Sequence, residues 1–105
     1  MQQKQAIQLA KKYISLVKKK GVPVTKAYLF GSYAKNTAKN YSDLDISIIS
    51  PVFGKNWINE GVRLSMIAGK LDERIEPHPM TSKDMANKYN PLAYEIKTHG
   101  ILLTK

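Results

Sequence analysis

The segment "FGSYAKNTAKNYSDLDISII", residues 30–49, decides the fold of this chain. The segment contains a Gly-Ser pair directly after Phe30 and ends in an isoleucine-rich stretch that includes Asp43 and Asp45. Side chains alternate faces along a strand, so these two aspartates are predicted to share one side while Leu44 points into the core. Carboxylates at this spacing repel each other, and burying them unpaired is costly. The pattern therefore predicts that cations lie between them.

The Gly-Ser pair predicts an anion site beside these carboxylates. Gly31 follows a predicted strand over 26–30 and is expected to open a short helix over 31–38. Free backbone N–H groups at such a turn attract anions, glycine lets a phosphate approach closely, and the Ser32 hydroxyl adds a hydrogen bond. Asp-x-Asp alone is more typical of a solvent-facing strand edge. Gly-Ser followed ten residues later by Asp-x-Asp is much more specific to a phosphate site.

A third carboxylate is expected to complete the site. Mg²⁺ takes oxygen ligands and shares them with substrate phosphates, and a pair of such ions can hold both oxygens of a phosphoryl transfer. Glu76 is the candidate, since it lies in a predicted strand over 73–79. Asp72 and Glu73 are its alternatives, although their place before the strand is more typical of surface charges. His78 lies close to Glu76 and could touch a bound phosphate compound or an incoming hydroxyl, but a structural or surface role is commoner for such a histidine.

The rest of the chain predicts a sequence of short helices and strands around these segments. The apolar spacing predicts helices over 3–20, 31–38, 55–71, 81–89 and 90–100, and strands over 26–30, 43–50, 73–79 and 101–103. The resulting order is α-β-α-β-α-β-α-α-β. Thr81 followed by Asp84 is a good helix cap, and Gly21 and Gly100 are predicted helix ends.

Composition limits the function classes. The 105 residues predict one domain, 1–105, and the absence of cysteine excludes disulfides, thiol chemistry and cysteine-ligated zinc. A net charge of +9, from 17 basic and 8 acidic residues, indicates an anionic partner. The lysines are spread out and no arginine-rich tract occurs, so direct nucleic-acid binding is not favoured but stays open. No signal-peptide or membrane-length apolar run is present, which predicts a cytoplasmic protein without a membrane contact.

The pattern "GSYAKN…SDLD" resembles the nucleotidyltransferases related to DNA polymerase β, and in its finer form the minimal nucleotidyltransferases, or MNT proteins. The matching positions are Ser32, Ala34, Ser42, Asp43 and Asp45. Asn36 stands where that family normally has glycine, and Asn tolerates a left-handed conformation better than most residues, so the turn is expected to survive. The resemblance implies an α+β nucleotidyltransferase fold, a mixed sheet with helices packed mainly on one face.

The resemblance also implies the roles of the acidic residues. Asp43 and Asp45 would bind Mg²⁺ and position the triphosphate of ATP. Glu76 would complete the metal site and accept the proton of the attacking hydroxyl, although the family usually has Asp there.

Phosphate binding is implied for the polar residues of the same segment. Gly31 and Ser32 would hold the β- and γ-phosphates, and Ser42 would assist by hydrogen bonding. Lys35 is a further candidate phosphate contact, with a solvated surface lysine as the commoner alternative.

The small size suggests a catalytic core whose acceptor is held by a partner or by a second copy of the chain. MNT proteins are commonly paired with a small helical HEPN protein, so the resemblance implies the antitoxin of a toxin–antitoxin pair. Such an enzyme transfers AMP from ATP to a hydroxyl of the toxin. Two alternatives stay open: a non-catalytic module that caps its partner, and a transferase acting on a small molecule or an RNA end.

Overall fold

The computed structural model describes residues 1–105 as a mixed four-stranded sheet with helices. Its elements are α1 (Gln3–Lys19), β1 (Lys26–Phe30), β2 (Leu44–Ile49), α2 (Trp57–Gly69), β3 (Ile75–Met80), α3 (Ser82–Ala86), α4 (Pro91–His99) and β4 (Ile101–Leu102). The strand order is β3-β2-β1-β4. Strands β2 and β3 are parallel, whereas β1 runs antiparallel to both β2 and β4. The predicted α+β fold is confirmed.

The alternation of side chains along β2 separates the two faces of the sheet. Leu44, Ile46 and Ile48 are fully buried in the main core, where α1 and α2 pack. Helix α1 adds Ala6, Ala10, Tyr13, Ile14 and Val17 to this core. Most of the helical packing therefore lies on one face, as predicted.

The opposite face of the sheet carries a smaller apolar cluster. Phe30, Ile49 and Met80 meet Ala93 and Ile96 of α4 there. This cluster shares its face with the part-exposed Asp45, because Asp45 and Ile49 are separated by an even number of positions along β2.

The predicted helix over 31–38 is wrong, because the segment forms a hydrogen-bonded turn instead. Gly31 and Asn36 have positive φ angles of 76° and 60°, which a right-handed helix does not accept. The N–H of Lys35 donates to Gly31 O over 3.1 Å, and that of Thr37 donates to Ser32 O over 2.9 Å. The observed order is therefore α-β-β-α-β-α-α-β.

The other predicted elements occur with small shifts of their ends. Strand β2 begins at Leu44, so Asp43 lies just before it. The predicted cap of α3 is confirmed: Thr81 Oγ1 accepts the N–H of Asp84 over 3.0 Å, and Asp84 Oδ2 accepts that of Thr81 over 2.9 Å. Gly21, with φ of 94°, follows the end of α1 as expected. None of the helices combines the length and the apolarity needed to cross a membrane.

Candidate active site

Asp45 and Glu76 are neighbours on adjacent parallel strands. They are directly paired in the β2–β3 register, where strands lie about 4.8 Å apart and paired side chains share a face. The Asp45 side chain is 27% exposed and Glu76 is exposed at the same end of the sheet. Two carboxylates thus stand side by side at a surface that solvent and ligands can reach.

The Gly-Ser turn lies directly against the Asp45 carboxylate. Phe30, the last residue of β1, pairs with Asp45 across the sheet, and Gly31 follows it with φ of 76°. A Cβ atom at Gly31 would overlap Asp45 Oδ2. Only glycine lets the backbone adopt this conformation and pass so close to the carboxylate. The predicted phosphate turn and the predicted metal ligand therefore lie in contact with each other.

Gln3, at the start of α1, holds the turn from behind. Its Nε2 donates to Tyr33 O and to Ala34 O, both over 3.1 Å. Asn36 closes the turn in the left-handed conformation, as predicted for that position. Sequence reasoning missed Gln3, because nothing local marks a helix glutamine that bonds a segment 30 residues away.

His78 reaches the site from β3. Its Nε2 lies 3.3 Å from Asp45 Oδ1, and its ring meets that of Phe30 edge-on, with centroids 4.9 Å apart. The strand alternation places Glu76 and His78 on one face, so this contact follows from the β2–β3 register. The structure thus places His78 at the edge of the site.

The two alternatives to Glu76 have other surroundings. Arg74 donates from Nε to Asp72 Oδ1 over 3.0 Å and from Nη2 to Oδ2 over 2.7 Å. These bonds hold the pKa of Asp72 below its usual range and occupy both of its oxygens. Glu73 is exposed and precedes β3. Glu76 is therefore the acid on β3 that stands beside Asp45.

The remaining predicted site residues lie around the turn and have partners of their own. Asp43 is exposed just before β2. Ser42 Oγ accepts the N–H of Lys39 over 2.8 Å and so stabilises its own loop. Lys35 Nζ lies 3.3 Å from Glu95 Oε1, which ties the turn to α4. Their roles toward a nucleotide stay predictions.

The carboxylates at this site fit a magnesium ion that takes only part of its ligands from the protein. No group of three or more His, Asp or Glu side chains is close enough to hold one ion, so the three predicted ligands are not gathered into a cluster. Mg²⁺ at phosphoryl-transfer sites commonly uses only one or two carboxylates and completes its shell with water and substrate phosphates. Asp45 and Glu76 supply that donor set, and the Gly31 turn leaves the backbone open beside it.

The comparison with family models settles the family. The model of the nucleotidyltransferase domain matches residues 10–97, which is most of the chain. The chain belongs to the nucleotidyltransferase domain family. The matched range includes the turn after β1, both aspartates and Glu76. The comparison with curated protein sequences found no match to this nucleotidyltransferase domain.

Solved structures share the fold of this nucleotidyltransferase domain. A toxin–antitoxin complex with AMP-PNP matches with a TM-score of 0.68 at 24% identity, over 90% of this chain and 72% of the other. A nucleotidyltransferase from Sulfolobus solfataricus gives 0.69 at 17% identity, over 95% and 80%. The complex of a tri-AMPylated Shewanella oneidensis HEPN toxin with its MNT antitoxin gives 0.60 at 23% identity, over 93% and 71%. The fold is thus that of known nucleotidyltransferases and resembles MNT antitoxins in complex with HEPN toxins.

Proposed function

We propose that this domain transfers AMP from ATP to a hydroxyl of a partner protein, and that it is the antitoxin of a small helical HEPN-type toxin. The observation that carries this proposal is the contact of the Gly31 turn with Asp45, whose neighbour across the sheet is Glu76. A glycine turn beside paired carboxylates suits phosphoryl transfer, because the backbone of the turn can approach phosphate oxygens and the carboxylates can hold a metal ion. The solved relatives that contain AMP-PNP or an AMPylated toxin support ATP and a HEPN protein as the substrates.

The residues of the chain have separate roles in this proposal. Mg²⁺, when bound, neutralises phosphate charge and polarises the reacting phosphoryl group. Asp45 and Glu76 would hold it as neighbours across the sheet, and Asp43 in the preceding loop stays a predicted third ligand. The N–H groups of the turn at Gly31 and Ser32 would bind the β- and γ-phosphates, which orients the α-phosphorus toward the acceptor.

Glu76 would accept the proton in the transfer step. The acceptor hydroxyl oxygen forms a bond to the α-phosphorus of ATP, and the bond from that phosphorus to the bridging oxygen breaks. Pyrophosphate leaves with that electron pair, and the hydroxyl proton passes to the Glu76 carboxylate. Glu76 is exposed, so an acceptor on another protein can reach it.

The test is the mass of the partner after incubation with the domain. A HEPN-type protein, sought first in the products of the genes next to that of this domain, is incubated with ATP, Mg²⁺ and either the wild-type domain or Glu76→Gln. Wild type is expected to add one or more AMP groups. Glu76→Gln keeps the shape but removes the proton acceptor, so transfer should fall by about 10²–10⁴-fold. Glu73→Gln is the matched control, because Glu73 is exposed on the same segment and is expected to leave transfer unchanged.

The same experiment separates the alternatives. An unmodified partner that wild type and Glu76→Gln neutralise equally would establish a capping antitoxin without catalysis. If the partner stays unmodified while the wild-type domain transfers AMP to added RNA or to an added small molecule, the acceptor is different from the one proposed. Normal transfer by Glu76→Gln would contradict its role as the proton acceptor.

A further inference from the structure

Helix α2 exposes a continuous apolar stripe to solvent. Ile58, Val62 and Met66 are 79%, 52% and 66% exposed, and their spacing of four residues places them in one row along the helix. The buried residues of α2, namely Leu64, Ile67 and Ala68, belong to the main core instead. Single exposed apolar side chains are common, but a contiguous row on one helix is typical of an interaction site.

One border of this α2 stripe is strongly basic. A groove of about 350 Å³ beside it is lined by Val62 and Met66 together with the cations Lys20, Arg63 and Lys70. No acidic residue lines the groove. The single acid of α2, Glu60, accepts backbone N–H groups of residues 54–56 and is turned away to the loop before the helix. The cations of the groove therefore have no carboxylate partner within it.

The other border of the α2 stripe is formed by small residues. Gly61, Ser65 and Gly69 also repeat every four residues. A Cβ atom added at Gly61 or Gly69 would meet no atom within 4 Å, so the packing of the chain itself does not require glycine there. Glycine inside a helix destabilises it relative to alanine. A row of small residues permits the close approach of another helix, which gives these glycines a physical reason.

We propose that the α2 stripe docks an acidic amphipathic helix of a different protein. The apolar side of that helix would lie on Ile58, Val62 and Met66, and its carboxylates would meet Lys20, Arg63 and Lys70. Arg63 Nη2 donates to Lys20 O over 2.8 Å, but none of the three cations has a carboxylate partner. Charge complementarity therefore decides the occupant, since an apolar face bordered by these cations fits an apolar face bordered by acids.

A second copy of this chain does not supply that partner. An antiparallel two-fold contact through α2 would bring the basic border of one copy against that of the other, and a parallel one would set it against the small residues, which supply no carboxylate. A contact between the α2 stripe of one copy and a different helix of the other copy lacks acidic residues. Helix α1 has none, and α2, α3 and α4 have one each: Glu60, Asp84 and Glu95. No helix of the chain is acidic enough to complement the groove.

The position of the stripe leaves the candidate active site open. Helix α2 packs on the sheet face that carries Leu44, Ile46 and Ile48, whereas Asp45 lies on the opposite face. A partner on α2 therefore does not cover the carboxylates. The inference is independent of the proposed transfer reaction, and variants of α2 should bind ATP–Mg²⁺ as wild type does.

The test uses two designed helical peptides with identical apolar faces. One carries Glu at the flanking positions and the other carries Lys, and binding to the wild-type domain is followed by fluorescence anisotropy. The Glu peptide is expected to bind at least about tenfold more tightly and to weaken as salt rises from about 0.05 to 0.5 M. Val62→Ser combined with Met66→Ser should reduce this binding at least about fivefold. Val52→Ser is the matched control, because Val52 is 46% exposed but lies outside α2.

Gly61→Ala gives a second test with opposite signs for stability and binding. It should raise the Tm by roughly 2–8 °C, since alanine is the better helix former and its Cβ meets open space. The same substitution should weaken the binding of the Glu peptide, since the added methyl group hinders close contact between the two helices. Equal binding of the two peptides, no saturable binding, or full binding by the Val62/Met66 variant would overturn the proposal. If sedimentation showed a dimer of the chain and Met66→Lys dissociated that dimer, the stripe would be the contact between two copies. That result would overturn the proposal as well.

Discussion

At the scale of single residues, Asp45 is the point where the candidate site comes together. Its carboxylate lies against the backbone of Gly31 and 3.3 Å from His78 Nε2, and its strand neighbour is Glu76. A Cβ atom at Gly31 would therefore force the Asp45 carboxylate to shift, in addition to straining the left-handed backbone.

Gly31→Ala tests that approach. A left-handed conformation costs a residue with a Cβ about 1–2 kcal/mol, and overlap with Asp45 Oδ2 adds to this. We expect a loss of about 1–3 kcal/mol in the free energy of unfolding, measured by urea denaturation, and loss of ATP–Mg²⁺ binding. Gly61→Ala is the matched control, because its Cβ meets open space and should stabilise the fold. If Gly31→Ala were as stable as Gly61→Ala and bound ATP normally, the close contact would have no role.

The sequence predicts part of the site at this scale. The spacing of Gly31 and Asp45 predicted a shared phosphate and metal site, and Glu76 was predicted as the third acid from its place in a strand. The structure places Gly31 and Glu76 beside Asp45, and their roles stay predictions. The contact of His78 with Asp45 depends on the β2–β3 register, and the bonds of Gln3 to the turn depend on how α1 packs. Both contacts arise from tertiary packing, and no local sequence pattern indicates them.

At the scale of elements, the region between β1 and β2 shows where local patterns mislead. Residues 31–38 have the composition of a short helix, but left-handed conformations at Gly31 and Asn36 turn the chain within six residues. The turn suits an antiparallel return from β1 to β2. Longer amphipathic segments, such as α1 and α2, were predicted within a few residues because many side chains specify them together.

A buried tyrosine joins α1 to α2. Tyr13 is fully buried, and its hydroxyl donates to Leu64 O over 2.8 Å. Burial raises the pKa of the Tyr13 hydroxyl, because the low-dielectric interior disfavours the phenolate. The bond thus connects the two helices that cover the main face of the sheet.

Tyr13→Phe is expected to lower the free energy of unfolding by about 1 kcal/mol at pH 7. Above a pH of about 10 the unfolded tyrosine ionises while the buried hydroxyl keeps its proton, so the wild type loses stability there. The difference in the free energy of unfolding between wild type and Tyr13→Phe should therefore narrow as pH rises past 10, as measured by urea denaturation. Tyr41→Phe is the control, since Tyr41 is 86% exposed and should change little. A gap that stays constant up to pH 11 would contradict this account.

At the scale of the whole molecule, the two sides of the sheet carry different features. One side carries the main core and the basic-bordered α2 stripe, and the other carries Asp45, Glu76 and the Gly31 turn. The net charge of +9 suits both an anionic nucleotide and an acidic partner. The family and the mixed sheet could be predicted from the segment at 30–49, because its residue spacing is specific. The α2 stripe could not, because helical spacing alone does not tell which apolar residues are buried.

The most direct test of the central claim is the coupling of Mg²⁺ to ATP binding, measured by calorimetry with and without the ion. Carboxylates repel phosphate until a cation lies between them, so wild type should bind ATP far more tightly with Mg²⁺. Asp45→Asn should bring the ratio of the two affinities close to one while thermal unfolding stays cooperative. Equal ATP affinity of the wild type in both conditions would contradict a nucleotide site built on Asp45, Glu76 and the Gly31 turn.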